Sequence, residues 1–148
     1  MQLNFPRYNF KLKKVENRNY IFDLIRKKFI VLTPEEWVRQ HLVHYLIEQC
    51  GCKPSLMAVE KGLTINGLQK RFDILVYDNE GQPLLLAECK APDVKLSDAT
   101  FLQAAVYNKQ LKVSNLVITN GYELQFCKYN NDFSAYFIKN DIPKYPFL

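Results

Sequence analysis

Residues 71–90, RFDILVYDNEGQPLLLAECK, limit the possible folds more than any other stretch of the chain. Ile74-Leu75-Val76-Tyr77 and Leu84-Leu85-Leu86-Ala87 are apolar runs, and the turn formers Asp78-Asn79-Glu80-Gly81-Gln82-Pro83 lie between them. That pattern predicts a β-hairpin. Both strands are apolar at successive positions, so the pair must be covered on both faces. Three charges interrupt it: Asp73, Glu88 and Lys90.

A hairpin symmetric about residues 80 and 81 sets Asp73 opposite Glu88, with Cβ atoms roughly 4.5–5.5 Å apart. Side chains alternate along a strand, so Lys90 shares a face with Glu88. Two close carboxylates repel unless positive charge lies between them. Lys90 can supply it, and so can a divalent cation. Mg²⁺ prefers carboxylate oxygen, keeps several waters and commonly binds substrate phosphate. The three residues point to metal-assisted chemistry on a phosphate, with Lys90 beside the attacking water. Read alone, they also fit a structural ion-pair network.

At 148 residues the chain is long enough for one domain with a real core. Its 48% hydrophobic and 24% charged content is ordinary for a globular protein. No apolar run approaches the roughly 20 residues of a membrane span. The opening MQLNFPRYNFKLKK has no apolar signal core. The expectation is a cytoplasmic protein that makes no use of a membrane. Cys50, Cys52, Cys89 and Cys127 lack paired CxxC or zinc-ribbon spacing and read as reduced thiols. His41 and His44 have no evident third ligand and read as packed or solvated histidines.

The net charge of +5 is unevenly spread. Residues 1–30 hold Arg7, Lys11, Lys13, Lys14, Arg18, Arg26, Lys27 and Lys28 against only Glu16 and Asp23. Tyr8, Phe10, Tyr20 and Phe22 are interleaved with them. A basic, aromatic segment suits a polyanion such as nucleic acid. Lysines on edge strands also serve simply to block aggregation.

Along the chain, residues 9–32 form an N-terminal β extension: a hairpin with a turn near Asn17-Arg18-Asn19, then a third strand or a short irregular segment. Thr33-Pro34-Glu35-Glu36 starts a helix, with Thr33 as N-cap and Glu36 closing a capping box. The helix runs to about Cys50 and stops at Gly51. Its stripe Val38, Leu42, Tyr45, Leu46 places Glu35 inward and Glu36 outward. The choice between these two acids stays open. Residues 55–90 make a three-stranded meander, turning at Asn66-Gly67. Lys70 and Arg71 lie beside its acidic end, where a phosphate backbone would be held.

Ser97 caps a second helix running to about Leu111, on which Gln103 and Tyr107 share a face. Strand 83–90, this helix and strand 113–119 make a parallel crossover, expected to be right-handed. Strands 122–129 and 133–139 form an antiparallel edge, and residues 140–148 read as a tail. No P-loop, GxSxG or GxGxxG is present in the sequence.

Taken together these residues resemble the PD-(D/E)xK nuclease superfamily. The order is a helix acid (Glu35), a strand aspartate (Asp73), Glu-x-Lys on the next strand (Glu88-Cys89-Lys90), then a helix with Gln103 and Tyr107. The strings TPEEWVRQ, RFDILVYD, AECKAP and ITNG are similar to the N-terminal nuclease domain of type I restriction enzyme R subunits. The likeness covers roughly residues 20–130. It implies an α/β (α+β) fold: a restriction-endonuclease-like central mixed sheet flanked by helices. Residues 1–32 would form the β extension, 33–139 the nuclease core and 140–148 the tail of a single domain.

The resemblance also implies Mg²⁺- or Mn²⁺-dependent endonuclease cleavage of DNA. Asp73, Glu88, the Cys89 carbonyl and Glu35 would hold the metal. Lys90 would act on the water or on the developing charge, and Gln103 and Tyr107 would position the site. Lys70, Arg71, Lys11, Lys13 and Lys14 would bind nucleic acid. A homodimer, or assembly with helicase or methyltransferase subunits, goes with the same likeness. The chain departs from it at Phe72, where the superfamily's name has Pro, and in lacking the helicase motor of a full R subunit. A non-catalytic binding module retaining the fold is the alternative.

Overall fold

The computed structural model describes residues 2–65 and 67–148, and of Ile65, Leu68 and Tyr107 only the backbone. Nine strands and two α-helices make up the described fold. Strands β1 (Leu12–Val15), β2 (Arg18–Asp23) and β3 (Lys28–Val31) form a separate antiparallel three-stranded sheet. Glu16 and Asn17, both at positive φ, make the β1–β2 turn. The turn thus sits one residue earlier than expected, because a two-residue loop with left-handed backbone matches the strands' own twist.

Helix α1 (Pro34–Glu48) follows, then β4 (Met57–Ile65), β5 (Leu68–Tyr77) and β6 (Pro83–Cys89). Helix α2 (Asp98–Leu111) leads to β7 (Asn115–Thr119), β8 (Leu124–Tyr129) and β9 (Tyr136–Lys139). These six strands form one sheet in sequence order, parallel only between β6 and β7. That single parallel pair is the crossover expected around α2. Asn66, of the expected Asn66-Gly67 turn, lies outside the described residues; Gly67 has φ +79°.

Alternation along the central hairpin builds two cores. Ile74, Val76, Leu85 and Ala87 pack with Val38, Leu42 and Leu46 of α1. Leu75 and Leu86 pack with Phe101 and Ala105 of α2. The six hairpin residues from Ile74 to Val76 and Leu85 to Ala87 are fully buried. The hairpin is therefore covered on two sides, as its sequence requires.

Both termini enter the first core. Leu3 and Phe5 are buried there, and the Asn4 N–H donates to Gly121 O at 2.8 Å. Gly121 has φ +93°, and a Cβ at that position would lie 2.9 Å from the Leu3 side chain. The segment read as a tail is instead core: Ile142 and Phe147 are buried, and the Tyr145 N–H donates to Cys50 O at 2.7 Å. Each of these apolar residues is isolated among prolines and polar residues, so no periodicity marks it. All four cysteines are free and buried, and burial pushes the Cys50 thiol up to about 11. His41 is packed, with Phe10 and Trp37 rings near it and Nδ1 against Trp37 O at 2.7 Å.

One buried carboxylate fastens the small sheet to α1. Asp23 Oδ1 accepts the N–H groups of Ile25 and Arg26, each at 2.7 Å. Oδ2 accepts Arg26 Nε and Gln40 Nε2, each at 2.8 Å. Burial alone would raise its pKa, but the hydrogen bonds from Arg26 and Gln40 outweigh that and lower it. The unfolded carboxylate titrates at about 3.9. Its stabilisation is therefore present above that value and lost as pH falls through the lower folded one. Asp23→Asn, which turns an N–H₂ toward existing donors, should cost about 3 kcal/mol at neutral pH. Urea denaturation at a series of pH values should show the gap to wild type closing below about pH 4.

Candidate active site

The site is set by the hairpin register. Ile74 pairs with Ala87, Leu75 with Leu86 and Val76 with Leu85. That is the symmetric register, and the pairing ends at Ile74 and Ala87, one residue short of Asp73 and Glu88. A register shift occurs only at the far end, between Val76 and Tyr77.

At Asp73 the alternation breaks. Phe72 packs in the α2-side core, two residues from Ile74 in the α1-side core. The break sits opposite Glu60, which has φ +55° and interrupts the β4–β5 pairing between Val59↔Ile74 and Lys61↔Phe72. One residue on each strand, Glu60 and Asp73, leaves the ladder there while the register is kept. The Asp73 carboxylate consequently meets α1, its Oδ1 accepting Arg39 Nη2 at 2.7 Å and Nε at 3.2 Å. Its Oδ2 accepts the Cys89 N–H at 2.8 Å. The Lys90 N–H donates to Thr119 O on β7, so the Cys89 N–H faces β5 and Asp73 satisfies it.

Glu88 lies on the α2 side. Its Oε1 is 2.9 Å from Lys70 Nζ, an ion pair without a well-aligned hydrogen bond. Burial raises the Glu88 pKa; Lys70 and Lys90 draw it back, and the nearby Asp73 charge adds to the rise. A cleft of about 180 Å³ opens here, lined by Lys70, Glu88, Lys90, Thr100, Gln103 and Ala104. The structure thus brings Glu88, Lys90, Gln103 and Lys70 to one cleft, with Asp73 engaged behind it.

The helix acids are exchanged relative to expectation. Glu36 is buried, whereas the Glu35 side chain is 48% exposed and reaches Arg39 only at 3.6 Å. The Thr33 hydroxyl accepts the Glu36 N–H as expected, at 3.0 Å. The Glu36 carboxylate does not complete the capping box; it binds Arg26 Nη2 at 2.9 Å, Gln40 Nε2 at 3.0 Å and Arg39 Nη1. The reason is that α1 buries two sides. Asp23 and Arg26 meet Glu36 and Gln40 from one side, while Glu60 and Asp73 meet Arg39 from the other, contacts the helix's own apolar stripe does not reveal.

Arg71 is exposed and lies 3.7 Å from Glu60. Gln103 and Tyr107 fall one turn apart on α2, and the Tyr107 side chain lies outside the described residues. Lys13 and Lys14 belong to β1 and Lys11 immediately precedes it, on the other sheet. Among the described residues no group of three His, Cys, Asp or Glu side chains is arranged to hold a metal ion. Glu35 in particular is not gathered with Asp73 and Glu88. Hard oxygen donors are nevertheless present in Asp73 and Glu88, and one or two carboxylates with waters are an ordinary Mg²⁺ set.

Type I restriction enzyme R protein N terminus is the description of the family whose model matches residues 34–143. The chain belongs to this family. Among solved structures it is similar to a fragment of an inferred HsdR subunit of a type I restriction enzyme from Vibrio vulnificus. That match has 18% identity and a TM-score of 0.50, covering 72% of this chain and 22% of that one. A second similar structure is an inferred nuclease of the DUF820 group from Anabaena variabilis. It has 11% identity and a TM-score of 0.51, covering 97% of this chain and 86% of that one. No curated protein matches the chain. As in the R-protein N-terminal family's expected fold, helices flank a central mixed sheet, and the hairpin and both helices lie within the matched residues.

Arg39 and Glu60 were not singled out by the sequence reading. Arg39 had a local signal: a cation inside a buried helix face, three and four residues after Glu36 and Glu35. Glu60 had none, since its role follows from the left-handed backbone at its own position. Arg39 touches Glu36, Glu60 at 2.9 Å and Asp73 at 2.7 Å. Removing it strands several part-buried carboxylates. Arg39→Leu should therefore lose about 3–5 kcal/mol, read from the urea midpoint. Arg39→Lys, which keeps the charge but not the planar fork, should fall between that variant and wild type.

Proposed function

We propose that this R-protein N-terminal domain is a metal-dependent deoxyribonuclease that hydrolyses phosphodiester bonds at the cleft beside Glu88 and Lys90. The observation that supports the reading is the cleft that gathers Lys70, Glu88, Lys90 and Gln103, beside the end of the β5–β6 pairing at Ile74 and Ala87, next to Asp73. Asp73, Glu88 and the Cys89 carbonyl would hold Mg²⁺ or Mn²⁺. Bound there, the metal would activate a water and neutralise phosphate charge. Lys90 orients the attacking water or stabilises charge developing on the phosphate. Lys70, paired with Glu88 at the cleft, offers a cation to the incoming backbone, and Arg71 extends that charge outward. Gln103 and Tyr107 position substrate from α2. Glu35, exposed at the helix start, would reach the metal only through water.

DNA as substrate places the protein in the cytoplasm; no helix of the described residues is long and apolar enough to cross a membrane. Cleavage of both strands calls for two sites, through a homodimer or an assembly with helicase or methyltransferase subunits. The alternative is a binding module without catalysis. It is favoured by one observation: both Asp73 oxygens already have protein donors.

The deciding experiment is nicking of supercoiled plasmid with Mg²⁺, with Mn²⁺ and with chelator. The expected result is metal-dependent cleavage that falls about 100-fold or more in both Lys90→Ala and Asp73→Asn, the scale of losing one charge-stabilising or proton-transfer group. Wild-type protein inert with either metal on supercoiled, linear and single-stranded DNA would leave the binding-module reading.

A further inference from the structure

The outward face of the small sheet has a composition of its own. Lys13 pairs with Tyr20, Tyr20 with Val31, and Phe22 with Phe29. The Phe22 N–H donates to Lys11 O, which places Lys11 beside Phe22, and Val15 pairs with Arg18. Alternation then assigns Lys11, Lys13, Val15, Arg18, Tyr20, Phe22, Phe29 and Val31 to one face. The opposite face carries Ile21 and Asp23, both fully buried. The first face is consequently turned away from the body of the domain. Neither core cluster contains Tyr20, Phe22 or Phe29.

On this face aromatic rings and cations are in contact. The Phe22 and Phe29 rings meet edge to face, 5.3 Å apart. Lys13 Nζ lies 4.1 Å from the Phe29 ring centre and 5.9 Å from that of Tyr20, and Lys11 Nζ lies 5.3 Å from that of Phe22. The β1–β3 residues on this face include no acid. Lys14 falls on the other face by alternation, and Arg18 takes its place among the cations.

We infer that the outward face of the β1–β3 sheet is a binding platform for single-stranded DNA, distinct from the cleft at Glu88. Bases stack on Phe22, Phe29 and Tyr20, and phosphates meet Lys11, Lys13 and Arg18. Part-exposed rings supply stacking surface to any base, and a flanking row of cations tracks the backbone. A duplex hides its bases from such a face and leaves only the phosphate contacts. The choice of DNA over RNA rests on the proposed nuclease function; the stacking chemistry does not. The platform precedes residue 34, where the family match begins. Cross-strand aromatic pairs also stabilise sheets, so the test must separate binding from folding.

Fluorescence anisotropy of a labelled oligothymidylate, in chelator so that no cleavage occurs, provides that test on the full chain. Wild type should bind it at least about tenfold more tightly than a duplex of equal length. Three phosphate-contacting cations predict a slope of log affinity against log salt of about −2. The pair Phe22→Leu with Phe29→Leu, which keeps apolar volume, should lose about tenfold or more on the single strand and change little on the duplex. Lys11→Gln with Lys13→Gln should weaken both and flatten the salt slope. Circular dichroism melting confirms that each variant remains folded. Equal affinity for single strand and duplex, or an unchanged single-strand affinity in the folded leucine variant, overturns the proposal. Tighter binding of oligouridylate overturns the assignment to DNA. Because no divalent metal is present, failure of cleavage leaves this result intact, and failure here leaves the cleft's assignment standing.

Discussion

The guanidinium of Arg39 is the interaction on which the rest of the site depends. It comes from α1, yet it binds Glu36 on its own helix, Glu60 on β4 and Asp73 on β5. Glu36 in turn binds Arg26, and Arg26 binds Asp23. A continuous path of charge-assisted hydrogen bonds thus runs from the small sheet through the helix to the central hairpin. Burying that many charges is tolerable only because each has a partner. The carboxylates and the surrounding hydrogen bonds hold Arg39 more firmly protonated than its ordinary value, despite burial that works the other way. A planar fork with several donors suits this position; a lysine's point charge would leave some acids unmatched.

The central hairpin was legible in the sequence because its constraints are local. Apolar runs on either side of a turn fix both the register and the two-sided burial, and the register found is the symmetric one. The crossover through α2 was legible for the same reason, given a capping serine and a second apolar strand. Which of the two helix acids is buried was not. That depends on Asp23 and Arg26, which meet Glu36 and Gln40 from a sheet earlier in the chain with no sequence mark of its docking. The buried termini were hidden likewise: Leu3, Phe5, Ile142 and Phe147 are single apolar residues that acquire meaning only in the assembled core.

Asp73 shows how a correct register can still give an incomplete geometry. The symmetric register would set it opposite Glu88, but the β5–β6 pairing ends at Ile74 and Ala87, and the left-handed backbone at Glu60 breaks the β4–β5 ladder beside it. One acid is therefore met by α1 and the other by the α2 cleft. Glu60 carries a side chain where glycine would be the easier residue, and that side chain binds Arg39. The same residue supplies the break in the ladder and one of the carboxylates that hold the guanidinium, so backbone strain and charge network occur together, a combination that clusters at functional sites.

The distribution of cations follows a matching logic. Glu88 is already raised by burial and moderated by Lys70 and Lys90. A second basic cluster lies on the outward face of the small sheet, where Lys11, Lys13 and Arg18 face no β1–β3 acid. The Asp23–Arg26–Glu36–Arg39 path connects that sheet to Asp73, so the face proposed for single-stranded DNA and the cleft proposed for the metal are joined by one network of ion pairs.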